Sequence, residues 1–562
     1  MSEKFVLGID FGTLSVRALL VNVANGFEAA TAVYHYPHGV ITGSLPVQSL
    51  PLSEGWALQH PRDYLDGFVA VVKEVLSISG IRPEQIIGLG TDFTSCTFFA
   101  TTEDGLPLCL LAEYQNRPHS WPLLWKHHAS QPQAERITQL ARNRKEVWLK
   151  EHGGNVNAEW FFPKALQILE EAPDIYHAAS RFVEGTDWIV WQLTGELCHN
   201  ITAAGYKALW SEDLGYPSPE FFLEVHPEMA DIVSEKIHPR IVKLGTRAGY
   251  LQQSWAALTG LPEGLPVAVG NLDGHSAVPA ASVVEAGEMA MIMGTSNTHL
   301  LLSDYQKDIP GICGWMKNGI VDGLIGYEAG QRCVGDHFAW FVKNCVPQQC
   351  FDTASAAGLD IYQYLNRAAS AIEPGESGML ALDWWDGNRN ILSNGDLTGV
   401  WLGMNLATDA IGMYRSLIEA TAFGSKVIVD QYEKHGIPIH RIVAVGGLAV
   451  RNPLLLQIYS DVLGKTIELT TSQLHSALGA ALQAAVAAGV EQGGYLTIQQ
   501  AVKAMVKMKT EIYHPDAVHH EIYQRLFQEF RQLHDVLGGE YRDMFKRLNT
   551  IKQMARRERN EF

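Results

Sequence analysis

Three segments carry residue types suited to holding phosphates. Asp10-Phe11-Gly12-Thr13 lies where an apolar stretch, Lys4 to Asp10, ends and reverses into Val16 to Val23. Gly12 permits a tight turn with no Cβ in the way, so successive backbone N–H groups can face a phosphate, and Thr13 adds a hydroxyl. Asp10 offers the hard oxygen ligands that Mg²⁺ prefers, usually through water. Alone, D-x-G-T serves equally well as an ordinary hairpin turn. The construction returns, however, with a strand over Glu288 to Met293, a turn at Gly294-Thr295-Ser296-Asn297 and a return over Thr298 to Leu302. Two such turns in related settings would present facing phosphate clamps across a cleft. The third segment runs from Val443 through Gly446-Gly447 to Asn452-Pro453. Paired glycines after an apolar strand let a nucleobase or ribose approach the backbone, and Asn452 can cap the helix that follows.

A hydroxyl that accepts a phosphoryl group needs a carboxylate within hydrogen-bond reach to take its proton. Asp273 is the best candidate: in Asn271-Leu272-Asp273-Gly274-His275 it follows the strand Val267 to Gly270 and is expected on a strand-end loop facing the cleft. The plainer alternative is a turn-forming Asp-Gly pair. Neither G-x-x-x-x-G-K-[ST] nor G-x-G-x-x-G occurs, so phosphate handling rests on the hairpins. His127-His128 and His519-His520 are adjacent pairs that point apart on a helix and read as surface or core histidines, not metal ligands.

These residues must be positioned by alternating strands and helices, which indicates α/β layering. Ile86 to Gly90 reads as a strand, Pro163 to Glu171 as a helix, and Asp409 to Glu433 as a longer one. Arg441 to Val445 is a strand, Asn452 to Leu463 and Ser476 to Ala488 are helices, and the chain after Pro515 reads as helix to its end. The repeated hairpin divides the chain at Ala286, into residues 1–285 and 286–562. The Lys/Arg-rich stretch Arg542 to Arg559 is expected to be a solvated helix face.

Composition narrows the function classes. An apolar fraction of 47% and a charged fraction of 19% belong to a folded domain protein and not to a disordered chain. A formal net charge of −18 argues against general nucleic-acid binding. Seven cysteines without a C-x-x-C pair suggest neither a disulfide framework nor a zinc site, and point to reduced thiols in the cytoplasm. The beginning of the chain lacks the pattern of a secretory signal, and the small-apolar run Ala477 to Val490 is too short to span a membrane.

The two hairpins and the Gly446-Gly447 segment resemble the actin, heat-shock-70 and hexokinase superfamily, which implies two related ribonuclease H-like domains closing over ATP. Ala477-Leu478-Gly479-Ala480-Ala481 is similar to one of the helices that cross between those domains. With Phe162-Pro163-Lys164-Ala165-Leu166 and Asp273 included, the pattern resembles the FGGY carbohydrate kinases. Further stretches are similar to the members acting on L-ribulose: Leu124 to Ala129, Glu184 to Gly195, Ala203 to Trp210, Glu328 to Gln331 and Leu382 to Arg389. The resemblance implies transfer of the γ-phosphate of MgATP to the C5 hydroxyl of L-ribulose, in L-arabinose breakdown.

In that reading Asp273 is the general base and, with Asp10, lies near the magnesium. Gly12, Thr13, Gly294 and Thr295 hold the phosphates, and Gly446, Gly447 and Asn452 the adenosine. Lys207 and Glu328 anchor the sugar, and Thr91 to Cys96, with Asp92 and Cys96, completes its wall. After Gln331 the chain departs from the family pattern with Arg332-Cys333, which bears on how closely the sugar wall is copied. Other ketopentoses or pentitols (xylulose, D-ribulose, ribitol) are alternative acceptors, and an ATPase without a sugar substrate is the alternative of another class. The partners implied are the sugar and ATP, with no nucleic acid or membrane, and a homodimer stays open.

Overall fold

The computed structural model describes residues 3–560. The first strand, Phe5–Phe11, is buried throughout, and its hairpin partner is Ser15–Asn22. Around them one sheet runs, from edge to edge, Glu28–His35, Ser15–Asn22, Phe5–Phe11, Ile86–Phe93, Pro266–Ala268, Arg247–Tyr250. A second sheet runs Ile325–Gln331, Asn297–Ser303, Glu288–Met293, Arg441–Val445, Ile467–Thr470, Met508–Tyr513, with Gly314–Lys317 added beside Ile325–Gln331. The sense of every pairing coincides, and the first four positions are filled in the same chain order; the last two are filled in opposite order, Arg247–Tyr250 preceding Pro266–Ala268 in the chain while Ile467–Thr470 precedes Met508–Tyr513. In each sheet the first three strands pair antiparallel, the next two join in parallel and the last is antiparallel. The echo of one hairpin in the sequence is therefore the echo of a whole sheet.

Two helices lie between the sheets, Asp273–Ala280 and His475–Ala488. The second belongs to the later part of the chain yet packs on the first sheet. Its Ala/Gly composition is what permits this: a Cβ placed on Gly8 or Gly90 would collide with the carbonyl oxygens of Ala477 and Ala480. Gly479 meets the backbone of Ser276 on the other crossing helix in the same way, and the Ser276 hydroxyl donates to the Ser476 carbonyl at 3.0 Å. Backbones this close need small residues on both sides.

Between the strands Ile86–Phe93 and Arg247–Tyr250 the chain builds a separate lobe with its own aromatic core, including Phe98, Trp148, Trp160, Phe162 and Phe182. This lobe meets the second half directly: the Trp315 N–H donates to the Glu151 carbonyl at 2.9 Å, and the Tyr206 hydroxyl donates to the Gly326 carbonyl at 2.7 Å.

Three expectations change in detail. Asp273 is not on a loop: Asn271-Leu272 pairs with the strand Ile86–Phe93, and Asp273 is the first residue of a helix. The strand read over Ile86 to Gly90 continues to Phe93, which places Asp92 inside the sheet. The terminal helix is two, Ala517–Gly538 and Arg542–Asn560, broken at the Gly538-Gly539 pair. They are tied down by the fully buried Trp384, which packs against His534 and Phe545. All seven cysteines are free, and no described helix is long and apolar enough to cross a membrane.

Candidate active site

A cavity of about 190 Å³ opens where the lobe, the Asp273 helix and the second sheet meet. Among its walls are Ser95, Cys96, Lys207, Asp273, Glu328, Ser296 and Thr298. Four residues read from the sequence, Asp273, Lys207, Glu328 and Cys96, thus converge from four separate chain segments.

Asp273 is half-buried, and its Oδ1 accepts from the Gly274 N–H at 2.7 Å, with the Ser95 hydroxyl at 3.5 Å. Burial, reinforced by the nearby charge of Asp10, pushes its carboxyl up to about 6. A carboxyl so placed is ionised at neutral pH yet basic enough to take a proton from a hydroxyl.

Lys207 and Glu328 are both buried, and they face each other across the cleft: Nζ lies 2.9 Å and 3.1 Å from the two carboxylate oxygens. Burial would raise the Glu328 carboxyl, but the Lys207 ammonium beside it outweighs that and holds it well below the usual range. His275 adds a ring nitrogen 3.4 Å from Glu328 Oε2. Lys207 comes from a helix that ends there, Ile201–Lys207, started by the Asn200 side-chain cap. Glu328 stands on the strand Ile325–Gln331.

Cys96 sits at φ +59° with its carbonyl accepting from Lys164 Nζ, which also donates to the Leu123 and Leu124 carbonyls at 3.2 and 3.1 Å. Lys164, itself fully buried, thereby fixes this wall. Asp92 does not reach the cavity. It is fully buried and stands opposite Asp10 in strand register. Burial, then the charges of Asp10 and Asp273, drive its carboxyl far up. Asp10, which Arg17 Nη1 approaches to 3.2 Å, is raised more modestly, by burial first.

In both phosphate turns the glycine N–H closes the hairpin. Gly12 N–H donates to the Ser15 carbonyl at 3.0 Å and Gly294 N–H to the Ser296 carbonyl at 2.8 Å. The donors left for an anion are those that follow, at Thr13 and Thr295. Thr13 is held in place by its own acceptors: its hydroxyl receives the Trp125 indole N–H at 3.1 Å and its carbonyl the Gln59 amide at 2.6 Å.

Gly446, at φ +98°, abuts the end of the strand before Gly294, where a Cβ would lie 2.4 Å from the Met293 carbonyl oxygen. Gly447 is exposed and opens a short helix, Gly447–Arg451. Asn452 is buried and acts as the expected cap, its Oδ1 accepting from the Leu455 N–H at 3.1 Å.

Trp125, Asn157, Glu159, Trp160, His275, Cys313 and Arg389 also line the cavity and had no assigned role. Trp125 and Arg389 fall in stretches singled out by resemblance. Glu159 carries no such signal, since its place depends on how the lobe folds over the sheet. Arg332, the departure noted after Gln331, turns away from the cavity to Asp386 at 2.9 Å.

His127 is buried and bonded to Gln167 at 2.8 Å, in keeping with a core histidine. A cluster of His38, His60 and Asp63 has donor atoms close together. Its two rings are stacked at 4.2 Å with 15° between planes, so their in-plane lone pairs cannot converge on one ion.

Comparison with known sequences and structures gives the family and the fold. The sequence profile of the N-terminal domain of the FGGY family of carbohydrate kinases matches residues 5–279, and that of its C-terminal domain residues 289–488. A ribulokinase of Halalkalibacterium halodurans is 46% identical over 99% of both chains, and one of Staphylococcus aureus 34% identical over 98% of this chain and 99% of its own. Among solved structures, a xylulose kinase from Rhodospirillum rubrum superposes with a TM-score of 0.75 at 22% identity, over 95% of this chain and 99% of its own. The glycerol kinase of Plasmodium falciparum with ADP gives 0.74 at 16%, over 94% and 98%.

Proposed function

The chain belongs to the FGGY family of carbohydrate kinases, and from that premise we propose that it transfers the γ-phosphate of ATP to the C5 hydroxyl of L-ribulose, giving L-ribulose 5-phosphate for L-arabinose breakdown. The observation that carries this reading is the convergence of Asp273 with the Lys207–Glu328 pair in one small cavity. The ribulokinases reported above, alike over nearly the whole chain, favour L-ribulose over the xylulose, D-ribulose and ribitol alternatives.

In the proposed reaction Asp273 takes the proton of the C5 hydroxyl as its oxygen attacks the γ-phosphorus, and ADP leaves. Lys207 donates to a sugar oxygen and Glu328 accepts from a sugar hydroxyl, each exchanging part of its bond to the other for one to the substrate. The Thr13 and Thr295 turns hold the phosphates, and the Gly446-Gly447 segment, with Asn452 shaping the helix start behind it, receives the adenosine. Residues 1–285 and 286–562 are the units we take to close on each other, which keeps water from competing as acceptor.

Asp10, Asp92 and Asp273 lie close together, and beyond burial the charge of Asp10 raises the proton affinity of the other two. Such a cluster of hard oxygens suits a divalent cation, and Asp10 and Asp273 would hold Mg²⁺ through water. Bound there, it would neutralise phosphate charge. Seven free thiols agree with a cytoplasmic setting.

The test is ADP release over a panel of L-ribulose, D-ribulose, the xyluloses, ribitol, glycerol and hexoses. L-ribulose is expected to give the highest kcat/KM. Turnover with glycerol or a hexose alone, or ATP hydrolysis indifferent to sugar, contradicts the proposal.

A further inference from the structure

Of the charged side chains in the cavity wall, Arg389 is the one whose donors are uncommitted. It is half-buried, and among the described residues its guanidinium has no hydrogen-bond or ion-pair partner, whereas Lys207 is engaged by both oxygens of Glu328. Its backbone is firmly held. Asn388 exchanges two backbone hydrogen bonds with Asn394, at 2.9 and 2.8 Å. The Asn390 side chain accepts from the Gly330 N–H at 2.7 Å and donates to the Gly311 carbonyl at 2.6 Å. Gly330 lies two residues beyond Glu328 on the same strand, so the loop that presents Arg389 is tied to the strand that presents the sugar anchor.

The cavity has two ends. Asp273 is held by Gly274 and Ser95, while beside Arg389 the Asn390 side chain receives the Cys313 thiol at 3.2 Å, and the Cys313 N–H donates to the Glu328 carbonyl at 2.9 Å. Arg389 therefore enters the cavity from the Glu328 side and Asp273 from the Ser95 side. With the C5 hydroxyl at Asp273, the far end receives C1 and C2 of a pentose chain.

A guanidinium only donates, so the group it recognises must accept. In the furanose ring of a 2-ketopentose the C5 oxygen is bound to C2; the C5 hydroxyl is free for phosphorylation only in the open-chain form, which carries a ketone at C2. That carbonyl oxygen is the one sugar oxygen that accepts without donating. We infer that Arg389 binds the C2 carbonyl of the open-chain ketopentose and sets the preference for ketopentoses over pentitols, whose C2 oxygen is a hydroxyl. This rests on the ketopentose kinase reading above and adds to it a residue that determines specificity.

The experiment compares wild type, Arg389→Lys and Arg389→Met with MgATP and either L-ribulose or ribitol. Where ribitol turnover falls below detection, its inhibition constant against L-ribulose replaces it. The ratio of kcat/KM for L-ribulose to that for ribitol is expected to fall about 10- to 100-fold in Arg389→Met, the range for one charged hydrogen bond, chiefly through a higher KM for L-ribulose. Arg389→Lys should recover part of the ratio, because lysine keeps a donor and the charge. A ratio unchanged in Arg389→Met overturns the inference, whether both substrates suffer equally or neither does. A wild type that turns over no ketopentose removes the kinase reading itself, and the inference with it.

Discussion

Asp273 carries the heaviest chemical demand of any single residue here. Asp273→Asn keeps its shape and its bond to the Gly274 N–H but cannot take a proton, so kcat should fall by about 10²–10⁴ with the fold intact by circular dichroism. The pH profile gives the sign independently. A base must be ionised to act, and burial raises this carboxyl to about 6, so kcat/KM should drop tenfold per unit as pH falls below that midpoint. A bound cation can only draw the midpoint lower; one above 7, or an acid limb that survives in Asp273→Asn, contradicts the assignment.

Lys207 and Glu328 have a structural role as well as the proposed chemical one. Removing one partner of a buried ion pair strands the other, at a cost of about 3–5 kcal/mol. Lys207→Met is therefore expected to lower both urea stability and activity, whereas Lys207→Met with Glu328→Gln should recover most of the stability and none of the activity. Activity recovered together with stability in the double variant would mean the pair matters to folding alone. The Asp-Gly context and the family-like stretches made these residues legible in the sequence. Arg389 and Glu159 were not assigned, because a charged residue in a loop reads as solvated until the fold shows which wall it enters.

At the scale of elements, the echo of strand, glycine and threonine at Gly294 pointed to a duplicated unit, and the structure extends the duplication to four strands in order and six in the sense of their pairing. The hairpins were readable because a short continuous apolar run and a turn glycine are local signals. Asp273 was placed on a loop because nothing in Asp-Gly-His-Ser forecasts a helix of eight residues; packing against His475–Ala488 stabilises it. That contact predicts a sensitive position. Gly90→Ala would force a methyl into the Ala480 carbonyl, and the overpacking should cost about 1–3 kcal/mol by urea unfolding, with the sheet and crossing helix pushed apart. Gly80→Ala, at an open αL helix end, is the control: its cost comes from backbone strain and not from packing. If heteronuclear NMR shifts around His475–Ala488 move no more in Gly90→Ala than in the control, the close approach is not what holds the crossing helix.

At the scale of the molecule, the two halves are joined at the crossing helices and again around the sugar cavity. The Lys207–Glu328 pair, the Tyr206–Gly326 bond and the Glu151–Trp315 backbone bond all lie around the sugar cavity. Among the described residues no hydrogen bond links the Thr13 turn to the Gly294 or Gly446 turns across the cleft. In the proposed closure the nucleotide side, where these turns are unlinked, is the mouth. A smaller radius of gyration by solution scattering is expected when L-ribulose and a non-hydrolysable ATP analogue are present together; an unchanged value would argue against closure. The amplitude was not readable in the sequence, because closure is set by contacts between surfaces far apart in the chain.

The central claim, phosphoryl transfer to C5 of L-ribulose, is met most directly by identifying the product. With ATP and L-ribulose, a ³¹P–¹H correlation spectrum should place one phosphomonoester on the C5 methylene protons, formed in equal amount with ADP. A phosphate on C1, or ADP formed without any phosphorylated pentose, would contradict it.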